Sequence, residues 1–86
     1  VYGRFLPKST FWEDFSYTKG MKIAERIYEL RTEMKISQQK LADEIGVSRR
    51  AITFWESGIN EPKATYIARL AKFFGVSADY LLGLEE

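Results

Sequence analysis

Within LADEIGVSRRAITFWESG, which spans Leu41 to Gly58, Arg49 and Arg50 follow a serine and stand four residues ahead of Thr53 and Phe54 respectively. A guanidinium is a planar fork of N–H donors that matches phosphate, carboxylate or the O6/N7 edge of guanine. An outward phenylalanine can pack on a thymine methyl group. The chemistry offered is therefore recognition of an anionic ligand, not bond making. Two arginines opening a short helix also oppose its dipole, which favours carboxylates at that end. The placement costs stability unless a partner brings negative charge, and the major groove of DNA does.

Composition removes the main rivals. The 86 residues include no cysteine and no histidine, which excludes disulfides, Cys/His metal sites, thiol nucleophiles and imidazole catalysis together. An enzyme would have to gather carboxylates, lysines, serines or tyrosines in a cleft, and no spacing of that kind is present. The chain reads as non-enzymatic, with no cofactor and no metal. No apolar run approaches the roughly 18 residues of a membrane span, and the N-terminus lacks signal-peptide order, so the expectation is a cytoplasmic protein. Thirteen Lys and Arg against twelve Asp and Glu give a net charge of +1. General basicity therefore says nothing about nucleic acid, and the argument rests on where charges sit.

These residues need a frame, and the punctuation of the chain supplies one. Residues 1–20, VYGRFLPKSTFWEDFSYTKG, are aromatic-rich and lack a sustained period, which predicts an N-terminal arm. Residues 21–86 read as one all-α domain of five helices. Ile23, Ile27, Leu30 and Met34 form a stripe that predicts a first helix over Lys22–Met34, with Arg26, Arg31 and Lys35 on a solvated surface. Ser37 caps a second helix through Leu41, Ala42 and Ile45, closed by Gly46. Ser48 caps a third over Arg49–Glu56, with Ile52 and Trp55 inward and Gly58 at its end. Pro62 marks the entry to a fourth carrying Ile67, Leu70, Ala71 and Phe74, and Ser77 caps a fifth through Leu82, ended by Gly83.

The two short helices around Gly46 have helix-turn-helix spacing, with small Ala42 at the crossing and Gly46 in the turn. If Ile52 and Trp55 face the core, the helical step of about 100° per residue turns Arg49, Arg50, Thr53 and Phe54 outward.

The strings ISQQKLADEIGVSRRAITFWESG and LAKFFGVSADYLLG closely resemble the Cro/C1-type (XRE) helix-turn-helix family of phage and bacterial repressors, over Met21–Leu84. The resemblance implies a five-helix lambda-repressor-like domain whose third helix lies in the major groove. It further implies a transcriptional regulator, expected to be a repressor, that binds double-stranded DNA as a homodimer on a two-fold symmetric operator. Carried over, Ser48, Arg49, Arg50, Thr53 and Phe54 fall on DNA-facing positions. Base contacts are expected from Arg49, Arg50, Thr53 and Phe54, and phosphate contacts from Gln38, Ser48, Asn60 and Lys63, with Gln38 on the family's helix-anchoring position as well. Arg31 and Glu56 fall where many members have a structural ion pair. Acidic Asp43, Glu44 and Glu61 near this surface would weaken nonspecific binding.

Met21 stands where family members commonly start, which leaves residues 1–20 as translated upstream sequence, vector-derived residues or a real extension. If native, Phe11, Trp12 and Phe15 are expected to pack on the domain or a neighbouring copy. The dimer contact falls to that arm or to the fifth helix, with Tyr80, Leu81 and Leu84 as candidates. The alternative function is a protein-interaction module, such as an antitoxin or antirepressor partner, that uses the aromatic arm.

Overall fold

In a computed structural model that describes residues 20–85, five α-helices follow in order: α1 (Gly20–Glu33), α2 (Gln38–Ile45), α3 (Arg49–Ser57), α4 (Ala64–Phe74) and α5 (Ala78–Leu82). Each of the last four starts where its cap residue dictates. Ser37, Ser48 and Ser77 have extended backbones, and their hydroxyl oxygens accept from the N–H groups of Lys40, Ala51 and Tyr80. Lys63 opens α4 with the same extended backbone but no side-chain cap. At the other end of α2, Gly46 takes φ 89° and donates its N–H to the Ala42 carbonyl at 2.8 Å. A side chain there would be strained in the left-handed region, so this position sets the angle between α2 and α3.

The core is built from one face of every helix: Ile23 and Ile27 of α1, Leu41, Ala42 and Ile45 of α2, Ile52 and Trp55 of α3, Leu70 and Ala71 of α4, and Leu81 of α5. Trp55 stacks at a tilt on Tyr66, with ring centroids 5.7 Å apart. The inward pair predicted for α3 is thus the pair that anchors it. Among the described residues no helix is long and apolar enough to cross a membrane.

Several expectations are corrected. Met34 does not complete the α1 stripe. The helix ends at Glu33, the chain reverses through Lys35 at φ 60°, and Ile36 packs on the core while Met34 stays exposed. The residues of the expected aromatic arm, Phe11, Trp12 and Phe15 included, lie outside the described residues. Of the fifth-helix candidates, Leu81 is fully buried and Tyr80 half-buried, whereas Leu84 is exposed, as is Leu82, which is not among them.

The largest departure is Arg26, expected in solvent and found 8% exposed. Its Nη1 donates to the carbonyls of Tyr80 (2.7 Å) and Glu85 (3.1 Å), and its guanidinium lies 3.8 Å from the Tyr80 ring centroid. The side chain fastens the end of α5 and the segment after it to α1 by adding a charged donor to the Tyr80 carbonyl, which also accepts from Gly83 N–H, and to the Glu85 carbonyl, and it places positive charge at that helix's negative end. Arg26→Ala strips these contacts at once. It should cost about 1–3 kcal/mol, read as a fall of roughly 5–15 °C in Tm, with faster amide exchange in α5 than elsewhere. A melting curve superimposable on the parent's would contradict this role.

Candidate nucleic-acid interface

Four side chains from three helices meet behind the outer face of α3. Arg31 of α1 donates Nε to Glu56 Oε2 at 2.6 Å and Nη2 to Glu56 Oε1 at 3.1 Å, a two-pronged pair with little exposure on either side. Its Nη1 donates to the Ile36 carbonyl at 2.8 Å, in the connection to α2. Gln38 of α2 donates Nε2 to Glu56 Oε1 at 3.0 Å and accepts from the Thr53 hydroxyl at 2.9 Å. The hydrogen bonds to Glu56, with its charge as a further contribution against the cost of burial, raise the pKa of Arg31 above its ordinary value. The guanidinium therefore stays charged. Arg31–Glu56–Gln38–Thr53 is one continuous chain of polar contacts across α1, α2 and α3.

Above that network, Arg49 and Arg50 are exposed and Thr53 and Phe54 half-buried. The Arg50 guanidinium carbon lies 5.4 Å from the Phe54 ring centroid. Neither α2 nor α3 has an acidic residue in its first turn, so nothing local offsets the positive end of either helix. Ser48 uses its oxygen lone pair as the α3 cap at 3.2 Å, which leaves its hydroxyl proton to donate elsewhere. Asn60 and Lys63 are exposed in the α3–α4 connection. The acidic residues flanking this surface are partly occupied: Asp43 accepts from Gln39 at 2.9 Å, and Glu44 pairs with Lys40 at 3.0 Å.

The predicted site residues fall into two sets. Ser48, Arg49, Arg50, Thr53 and Phe54 gather on α3 and its cap, while Gln38 has its side-chain amide turned inward to Glu56 and Thr53. The Thr53 hydroxyl is likewise engaged, with the Arg49 carbonyl as a second acceptor at 3.2 Å, so what it can offer outward is its methyl group. Sequence reasoning missed Arg69, whose Nη1 donates to the Ile45 carbonyl at 3.0 Å and supports the end of α2 beside the turn. Among the described residues no group of three or more acidic side chains could hold a metal.

Glu56→Ala removes the acceptor common to Arg31 and Gln38 and leaves a largely buried guanidinium unpaired, which should cost about 3 kcal/mol or more in urea unfolding. Replacing both partners, Arg31→Met with Glu56→Leu, should recover most of that loss. Equal urea midpoints for Glu56→Ala and the parent would contradict the assignment.

Comparison with known proteins places the chain in a family. Residues 27–81 match the family HTH_3, described as helix-turn-helix. The chain is 41% identical over 66 residues to the HTH-type transcriptional activator BcrR of Enterococcus faecalis, covering 77% of this chain and 32% of that protein. It is 40% identical over 60 residues to repressor protein C2 of Salmonella phage P22, covering 70% of this chain and 28% of that one. Among solved structures, the P22 c2 repressor in complex with a synthetic operator superposes with a TM-score of 0.70 at 38% identity, covering 73% of this chain and 96% of that chain. The chain thus spans about a third of the length of those two curated relatives. The family match runs from Ile27 in α1 to Leu81 in α5. The chain belongs to the Cro/C1-type helix-turn-helix family, with α2 and α3 as the two helices of its motif.

Proposed function

We propose that this chain is a sequence-specific DNA-binding domain of a transcriptional regulator, acting as a repressor. It would work as a homodimer on a two-fold symmetric operator, with α3 in the major groove. The observation that carries this is the outer face of α3. It presents two exposed arginines at a helix N-terminus without a local carboxylate, on a helix tied to α1 and α2 through Glu56. The operator complex of the P22 c2 repressor, a structural relative, supports the same placement.

In this reading Arg49 and Arg50 donate to guanine O6 and N7, while Phe54 and the Thr53 methyl group contact thymine methyls. Ser48, Asn60 and Lys63 set register on the phosphates, as does Gln38. With the Gln38 amide held by Glu56 and Thr53, the phosphate contact comes from its backbone N–H, which precedes the first intrahelical bond of α2. The exposed Leu82 at the end of α5 and Leu84 just beyond it are the apolar surface offered to a second copy.

The test is selection from a random duplex pool at near-physiological salt, with residues 1–86 as parent and an Arg49→Ala/Arg50→Ala variant beside it. The parent should enrich a two-fold symmetric, guanine-containing site. Each arginine removed should cost about 1–3 kcal/mol on that site and relax the guanine preference. A double variant that binds the selected site as tightly as the parent would overturn the reading.

A further inference from the structure

On α3 the outward side chains form two i,i+4 pairs, Arg49 with Thr53 and Arg50 with Phe54. Only the second is a contact between a charge and a ring, at 5.4 Å. The Phe54 backbone is pinned where the helix ends: its carbonyl accepts from Ile59 N–H at 3.0 Å and from the Ser57 hydroxyl at 3.1 Å. The half-buried ring therefore stands on a fixed base, with the exposed Arg50 guanidinium carbon 5.4 Å from its centroid in the absence of DNA. A guanidinium and a ring that close together cannot address distant base pairs, because successive bases are about 3.4 Å apart along the helix axis. In a right-handed duplex the C5 position of a pyrimidine faces the major-groove edge of the guanine that follows it. A guanidinium bonded to that guanine lies against the C5 methyl, where an adjoining ring can enclose it.

Resting on the DNA-binding role proposed above, we propose that Arg50 and Phe54 act together as one reader of a two-base step, a C5-methylated pyrimidine followed by guanine. Arg50 takes guanine O6 and N7, and Phe54 with the Arg50 stem covers the methyl group. The pocket recognises the methyl and not the base's hydrogen-bonding edge, so thymine and 5-methylcytosine are equivalent at that position. Unmethylated cytosine and uracil bind less well. Binding is thereby sensitive to cytosine methylation in the operator.

The experiment uses residues 1–86 and the duplex enriched by selection, in which a thymine-guanine step should appear in each half-site. Replacing that thymine by deoxyuridine removes only the methyl and should weaken binding about three- to fivefold. A cytosine in the same place should bind more weakly than 5-methylcytosine by a similar factor. Phe54→Ala, and Phe54→Leu as a variant that keeps apolar bulk, should reduce this discrimination, to near unity for alanine. Arg50→Ala should lose the guanine preference. A parent that binds thymine and uracil duplexes alike, or a Phe54→Ala variant that discriminates as the parent does, overturns the inference. A selected site without the step overturns it as well. In these cases arginine-dependent binding to the selected duplex leaves the broader reading standing, whereas no enriched duplex at all removes both.

Discussion

Both oxygens of the Glu56 carboxylate are occupied, Oε2 by Arg31 Nε and Oε1 jointly by Arg31 Nη2 and Gln38 Nε2. Taking such a pair out of water costs several kcal/mol per ion, so apolar side chains of equal volume would stabilise the fold as well or better. What they could not supply is direction. A planar fork against a planar carboxylate admits one approach, and the added amide fixes the third helix of the group. Glu56 sits on α3 one residue beyond Trp55, so the helix is held on one side by core packing and on the other by directed polar contacts. The Thr53 bond extends that constraint to the outer face itself.

The reading surface follows from that frame. With α3 fixed against α1 and α2, its N-terminus carries two exposed arginines and no first-turn acid, although the whole sequence carries a net charge of only +1. Binding on this plan depends on a few well-placed donors more than on a general field, which favours discrimination over nonspecific affinity. The near-neutral balance and the acid-free first turns of α2 and α3 are then two expressions of the same design. On the opposite end, Arg26 closes α5 onto α1 and completes a body too small to spare a helix.

Much of this was legible in the sequence because it is local. The serine caps, the helix-ending glycines and the inward Ile52–Trp55 pair depend on neighbours within one or two turns, and the structure has them as predicted. The errors arise where distant residues decide. Arg26 was assigned to solvent because it is charged, yet it lies about 60° from Ile23 around α1, at the edge of the buried stripe. Its partners are the Tyr80 and Glu85 carbonyls, more than fifty residues away. Met34 fits the period but falls beyond the point where the chain turns, and Ile36 takes the packing position instead. The resemblance implies a helix-anchoring Gln38, but which groups its amide meets depends on α3 lying across it.

The central claim is that arginines of α3 read guanine from the major groove, and the most direct test removes the atom they would hold. In the selected duplex, each guanine is replaced in turn by 7-deazaguanine, which lacks the N7 acceptor but keeps Watson–Crick pairing, and affinity is measured for the parent, Arg49→Ala and Arg50→Ala. The account predicts that the parent loses about fivefold or more at particular guanines, and that the variant lacking the matching arginine shows little further loss there. A parent indifferent to N7 removal at every guanine would contradict it.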